Sequence, residues 1–225
     1  MHTRVDVLLK GANQAALPNL QQAVDEVRAT VARLEQIGNK FDAASELSHF
    51  NRCPVGVDFA VSPELHHMIT LCLRYNAQTE GLFDVTVGSA NHTPTTIHKL
   101  HASKAHEACT LRRDDADVQV DLSGFIKGYA LDCLRPVLQR RGITDALINM
   151  GNSSIMAMGD VPFTVANGCL TTSGNSDAHR RHIMNPLTGQ MMEGAGQVSV
   201  ETVSGAEGEA LATARFILHT LNNHD

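Results

Sequence analysis

Hydrophobic positions along this chain fall into two rhythms. Val5-Asp6-Val7-Leu8-Leu9 is a short, mostly apolar run ending at Gly11, and it predicts a strand. Further on, Leu20, Val24, Val27, Val31 and Leu34 step by three and four, which predicts a long amphipathic helix stopping near Gly38. Ser62-Pro63-Glu64 offers an N-cap and a proline at the first helical position. Leu65, Ile69, Cys72 and Tyr75 then carry a second helix to about Gly81. Val118-Gln119-Val120-Asp121-Leu122 alternates as a strand does and leads into a helix beginning near Gly124. Residues 144–149, 163–166 and 197–203 predict further strands, and a last helix runs from about Glu207 to Leu221. The stretch 89–117 is polar and His-rich and shows no clear rhythm. Strands mixed with a few helices, without a regular βαβ series, indicate an α+β fold. No repeat or linker divides residues 1–225, so the expectation is one domain, either a single unit or two intimate α+β halves.

Composition narrows the function more than the fold. The 225 residues carry a net charge of −6 and no basic cluster, which argues against nucleic acid or an anionic membrane as partner. No stretch approaches the roughly 18 apolar residues of a membrane span. The start, Met1-His2-Thr3-Arg4-Val5-Asp6, has no apolar signal core and no lipobox cysteine, so the expected compartment is the cytoplasm. The five cysteines never form a CxxC pair, which disfavours both a zinc site and a disulfide framework. Cys72 and Cys133 fall within helical patterns, where a free thiol acts as a small hydrophobe.

Two short patterns carry chemistry. At Asp121-Leu122-Ser123-Gly124 a turn opens a helix, placing backbone amides and a flexible glycine where a pyrophosphate could approach. Lys127 lies one turn in, towards the same mouth. An ordinary strand-to-helix turn with a solvated lysine fits this motif equally well. Glu209 and Thr213 are spaced i, i+4 on the last helix, so both project from one face. A carboxylate and a hydroxyl are hard-oxygen donors of the kind Mg²⁺ takes, although such a pair alone is usually a plain helix surface.

Five local clusters stand out: Ser45-Glu46-Leu47-Ser48-His49-Phe50-Asn51, Gly81-Leu82-Phe83-Asp84-Val85-Thr86-Val87-Gly88, Val120 to Asp132, Thr172-Ser173-Gly174 and His182-Ile183-Met184-Asn185-Pro186-Leu187-Thr188-Gly189. With Ala146-Leu147-Ile148-Asn149-Met150-Gly151 and Glu209-Ala210-Leu211-Ala212-Thr213-Ala214 they run in one order along the chain. In that order the sequence resembles the FAD:protein FMN transferases, the flavin transferase or ApbE family. That family carries motifs like SEISRLN, GxFDPTVG, DLGGIAKGYAVD, NLGG, TSG, HIIDPxTG and ADALATA.

The resemblance implies the T-fold-related architecture of that family. It also implies transfer of FMN from FAD to a Thr or Ser of an acceptor protein, with Mg²⁺ and release of AMP. A non-catalytic FAD-binding module and an FAD hydrolase are the alternatives. By the same resemblance Met1, Phe41, Asp84, Thr86, Asp121, Lys127 and Ser173 would contact FAD. Glu209, Thr213 and the Gly124 carbonyl would hold the metal, and His182 would take the acceptor's proton. The other eleven histidines are expected to be solvated or loosely packed. The acceptor protein and the oligomeric state are not implied.

Several positions depart from the family pattern. Phe41 stands for a Tyr, His49 for an Arg, Ser123 and Asn152 for glycines, Asn185 for an Asp, and Glu209 for the metal-binding Asp. Glutamate is one methylene longer, so its carboxylate overshoots the metal unless the helix stands back or a water intervenes. Only about eleven residues separate Asp160 from Thr171, where the family has a longer strand pair.

Overall fold

A computed structural model describes residues 3–11, 17–104, 108–175 and 182–222. The chain begins with strand β1 (Val5–Leu9), followed by α1 (Leu17–Gly38), α2 (Glu46–Arg52), β2 (Phe59–Ala60) and α3 (Pro63–Gln78). After a short 3₁₀ turn come β3 (Leu100–Ala102), β4 (Thr110–Arg113) and α4 (Ile126–Arg140). The last part holds β5 (Ala146–Met150), β6 (Ser154–Met158), β7 (Cys169–Asn175), β8 (Gly196–Thr202) and α5 (Gly205–Asn222). Five strands form an antiparallel sheet in the order β1-β5-β6-β7-β8, and β2-β4-β3 form a small second one. Helix α5 lies on β7 and β8 and against α4, while α1 packs on α4. The α+β expectation holds.

Local chemistry sets the helix starts. Ser62 Oγ accepts the Leu65 amide 3.2 Å away, capping α3 with Pro63 in its first turn. The Glu46 carboxylate in turn accepts the Ser62 amide and, at 2.7 Å, the Ser62 hydroxyl, which ties the start of α2 to the start of α3. Asp132 on α4 accepts the first two amides of α5, Gly205 at 2.7 Å and Ala206 at 3.0 Å, together with the Ser204 hydroxyl at 2.7 Å.

Two expected strands are absent. Residues 118–122 are extended but belong to no sheet. Their alternation is real, since Val118, Val120 and Leu122 are fully buried. Their backbone is satisfied by side chains and loop carbonyls instead of a neighbouring strand. Asn51 Nδ2 donates to the Val120 carbonyl and Asn51 Oδ1 accepts the Val120 amide, both at 2.9 Å, and the Ser89 hydroxyl accepts the Gln119 amide at 3.0 Å. Substituting Asn51→Ala strips both partners from a buried peptide group, and urea unfolding should register a loss of about 2 kcal/mol. Residues 163–166 form bends, and the strand lies further on at β7. The shortened 160–171 segment has just enough chain to turn, with Asn167 Oδ1 accepting the Gly159 amide at 2.8 Å. Helix α4 starts at Ile126, two residues later than the spacing suggested, because residues 123–125 form a turn.

Phe125 anchors the region that matters for function. It is fully buried, its ring centroid 5.8 Å from Tyr129, 6.2 Å from Phe83 and 6.3 Å from Tyr75. Those rings join the end of α3 and the 81–88 segment to the N-terminus of α4.

Candidate functional site around the start of helix α4

The 81–88 segment leaves α3 through a left-handed turn, with φ of 52° at Glu80 and 85° at Gly81. Side chains near the end of α3 fix its exit: Asn76 Nδ2 donates to the Phe83 carbonyl at 2.9 Å, and Thr79 Oγ1 accepts the Phe83 amide at 3.0 Å. Asp84 is then buried. Its Oδ1 accepts the Thr86 amide at 2.6 Å and the Thr86 hydroxyl at 2.7 Å, while Oδ2 lies 3.0 Å from His92 Nε2. Asp84 and Thr86 therefore build a rigid floor, and the Val85 carbonyl projecting from it accepts the Asp121 amide at 2.8 Å. His92, expected to be solvated, has a side chain only 6% exposed.

Asp121 stands at the mouth above this floor. Its Oδ1 accepts the Ser123 amide at 2.8 Å and the Ser123 hydroxyl at 2.5 Å, closing the turn that precedes α4. Its Oδ2 pairs with Lys40 Nζ at 2.5 Å. Lys40 also sits 5.0 Å from the centroid of the Phe41 ring, which is 77% exposed. Lys40, Ser48, Asn51, Gly88, Gln119 and Asp121 line a cavity of about 270 Å³. A larger cavity of about 600 Å³ between α1 and α4 contains none of these residues.

On the other side of the α4 N-terminus lies the β5–β6 turn. Gly151 and Asn152 both take left-handed backbone, φ 64° and 63°. Asparagine tolerates that conformation better than other side-chain-bearing residues, and Asn149 Oδ1 accepts its amide at 2.9 Å. The turn presents two serines: Lys127 Nζ donates to Ser153 Oγ, and Ser154 Oγ donates to Glu209 Oε1 at 2.5 Å. Glu209 Oε1 also accepts the Gly128 amide at 3.1 Å. Glu209 is 4% exposed, and burial pushes its carboxyl above the usual range, opposed by the Lys127 charge and by its two hydrogen bonds. One turn along α5, Thr213 Oγ1 lies 3.2 Å from Ser173 Oγ on β7.

His182 is exposed at the entry of a tight loop. Met184 and Met191 bridge across that loop, and the Met192 amide donates to the Ile183 carbonyl at 2.8 Å. Asn185 preserves the turn that an aspartate would make, its Oδ1 accepting the Leu187 amide at 2.9 Å. Asn175, two residues beyond Ser173, donates to the carbonyls of Met192 at 3.0 Å and Gly194 at 3.1 Å. A small apolar cluster of Leu82, Ile183, Met192, Ala214 and Phe216 packs the residue after His182 with the residue after Thr213 and with the 81–88 segment.

Of the residues singled out in the sequence, then, Asp84, Thr86, Asp121, Phe41, Gly124, Lys127, Glu209, Thr213, Ser173 and the His182 loop are linked through one connected region. Met1 lies outside the described residues. Lys40, His92, Ser153 and Ser154 escaped the sequence reading. Only the Gly-Asn-Ser-Ser run, a turn signal followed by two hydroxyls, could have pointed to any of them.

The sequence profile of the ApbE family covers residues 1–222. The chain belongs to the ApbE family. An FAD:protein FMN transferase of Rhodobacter capsulatus is 28% identical over 86% of this chain and 46% of its own length, so the chain spans about half of that relative. One from Chlamydia muridarum is 27% identical over 86% of the chain and 75% of its own length. The crystal structure of the ApbE protein of Thermotoga maritima superposes with a TM-score of 0.81 at 19% identity, covering 99% of this chain and 85% of that one, which supports the shared fold. Among the described residues no helix is long and apolar enough to cross a membrane, and no three His, Cys, Asp or Glu side chains gather to hold a metal.

Proposed function

We propose that this ApbE-family chain transfers FMN from FAD to a Thr or Ser hydroxyl of an acceptor protein, releasing AMP. The observation that carries this reading is the grouping of Asp121, Lys127 and Glu209 about the first turn of α4, through the Asp121–Ser123 turn, the Lys127–Ser153 contact and the Glu209–Gly128 hydrogen bond. That helix start suits a pyrophosphate. Its N-cap, Phe125, offers no side-chain acceptor, and the positive end of the helix and the Lys127 ammonium favour an anion there. In this reading the exposed Phe41 ring receives the flavin, and Asp84 and Thr86 hold the floor beneath Asp121.

A divalent cation such as Mg²⁺ fits the donor set although no carboxylate cluster is present among the described residues. The Gly124 carbonyl precedes the N-cap Phe125 and so lies outside the hydrogen-bond ladder of α4, while the Gly128 amide is taken by Glu209 Oε1. The Gly124 carbonyl, the Thr213 hydroxyl and Glu209 are hard oxygens of the type Mg²⁺ accepts alongside phosphate and water. When bound, the cation would neutralise charge on the pyrophosphate and the departing AMP.

The remaining work falls to the chain itself. Lys127 binds phosphate, Asp121 and its turn orient the dinucleotide, and His182 receives the proton of the acceptor hydroxyl. The hydroxyl oxygen bonds the phosphorus of the FMN half, the phosphoanhydride bond to AMP breaks, and AMP leaves with the bridging oxygen. Incubation with FAD, Mg²⁺ and a peptide bearing a Thr acceptor, followed by mass spectrometry, should yield FMN-peptide and free AMP. AMP without labelled peptide would mean hydrolysis, and neither product would mean a binding module.

Because the helix start addresses the pyrophosphate, FAD should bind at least about tenfold more tightly than FMN, a difference of about 1.4 kcal/mol. Quenching of flavin fluorescence on titration measures both. Equal affinities would remove the α4 N-terminus from the cofactor site.

A further inference from the structure

Glu209 has more to do than a metal carboxylate requires. It comes from α5, yet its Oε1 serves α4 by accepting the Gly128 amide at 3.1 Å and the Ser154 hydroxyl at 2.5 Å. The first-turn amides of a helix have no partners within the helix, and a side chain usually supplies one. Phe125 cannot, since its side chain has no acceptor. Gly128, third residue of α4, receives its acceptor from a different helix.

The approach of the two helices makes this reach possible. A Cβ on Gly128 would stand 2.1 Å from the Gly205 carbonyl oxygen and 2.6 Å from Glu209 Cγ. The glutamate stem therefore lies directly against the glycine. From the same position on α5 an aspartate is one methylene shorter. Glu209 Oε2 takes part in no hydrogen bond among the described residues, so one oxygen is committed to α4 and the other is not.

We propose that Glu209 is a positioning residue: its Oε1 caps helix α4 by holding the Gly128 amide, which fixes the turn that carries the Gly124 carbonyl as a cation ligand, while Oε2 faces the cation. This rests on the metal reading given under Proposed function, and adds to it a reason for the longer side chain. The extra methylene is not an overshoot. It spans the distance to α4, and replacing Glu209 with the shorter acid gives up the cap, the fixed position of that turn or both.

The test compares E209D and E209Q with the unaltered protein, first without metal or FAD. Glutamine keeps an acceptor oxygen of the same reach, so E209Q should melt within about 2 °C of the original, whereas E209D should melt about 3–6 °C lower. Mn²⁺ binding in the presence of FAD, followed by electron paramagnetic resonance, should weaken at least tenfold in both variants. An E209D protein that keeps its melting temperature overturns the cap. One that melts lower but binds Mn²⁺ as tightly as the original, or more tightly, overturns the link between cap and ligand. Should E209D fail to fold, amide exchange in the unaltered metal-free protein decides the cap: Gly128 must be protected, and rapid exchange there overturns it. Absence of Mn²⁺ binding to the unaltered protein overturns the metal reading and the ligand half of this proposal. The melting and exchange results still judge the cap on their own.

Discussion

Replacing His182 with alanine is expected to lower FMN transfer by about 10²- to 10⁴-fold while FAD binding stays close to that of the unaltered protein. The imidazole is exposed at the entry of the 183–192 loop, whereas the groups assigned to the dinucleotide lie at the start of α4 and on the floor beneath it. A residue so placed can meet an acceptor arriving from solvent without helping to hold FAD. On the proposed reading, removing it takes away the base for the hydroxyl proton and leaves the groups assigned to phosphate in place. The loop itself should survive, because Ile183, Asn185, Met192 and Asn175 make hydrogen bonds that hold it and do not involve the imidazole. Single-turnover transfer and equilibrium FAD binding, measured side by side, separate the two effects. A variant that lost FAD affinity but transferred normally once saturated would make His182 a binding residue.

How far the sequence foretold this molecule depended on where each segment finds its hydrogen bonds. Helices α1, α3 and α5 were legible because each periodic apolar face lies within one segment, and α3 also carries its own Ser62 cap. Strands β1, β5 and β8 were legible for the same reason, to within a residue or two. The 118–122 segment misled because alternation reports burial, not the identity of the hydrogen-bonding partner, and its partner is Asn51 from α2. Strands β3 and β4 went unseen because each is very short and sits in a polar stretch.

The site was legible as a set of motifs, and its connections were not. Nothing in the Asp121 motif announces Lys40, whose ammonium reaches it from the far end of α1. The pairing of Asp84 with His92 was hidden because they stand eight positions apart along irregular chain. For Glu209 the sequence offered only a length mismatch with aspartate. Its meaning depends on Gly128 and Ser154, which are distant in sequence and adjacent only once α4, α5 and β6 are packed.

That packing turns on one glycine, and Gly128→Ala is expected to be among the most damaging single substitutions in the chain. Helix propensity alone favours alanine over glycine by about 1 kcal/mol in a helix interior. Sterics point the other way. The added methyl would meet the Gly205 carbonyl oxygen at 2.1 Å, its carbon at 2.4 Å and Glu209 Cγ at 2.6 Å, and the first two are backbone atoms that no rotamer change can move. Nor can α5 simply slide away, since Asp132 of α4 holds its first two amides and the Ser204 hydroxyl. Overpacking of this kind costs about 1–3 kcal/mol and at times more, and separating the helices also breaks the Glu209 contact. A net loss near 3 kcal/mol would lower the melting temperature by roughly 6–12 °C for a chain of this size. Gly124→Ala is the contrast, because nothing lies within 4 Å of a Cβ built there, and its melting temperature should stay close to the original. A Gly128→Ala protein as stable as the parent would mean that α4 and α5 do not cross so closely at this point.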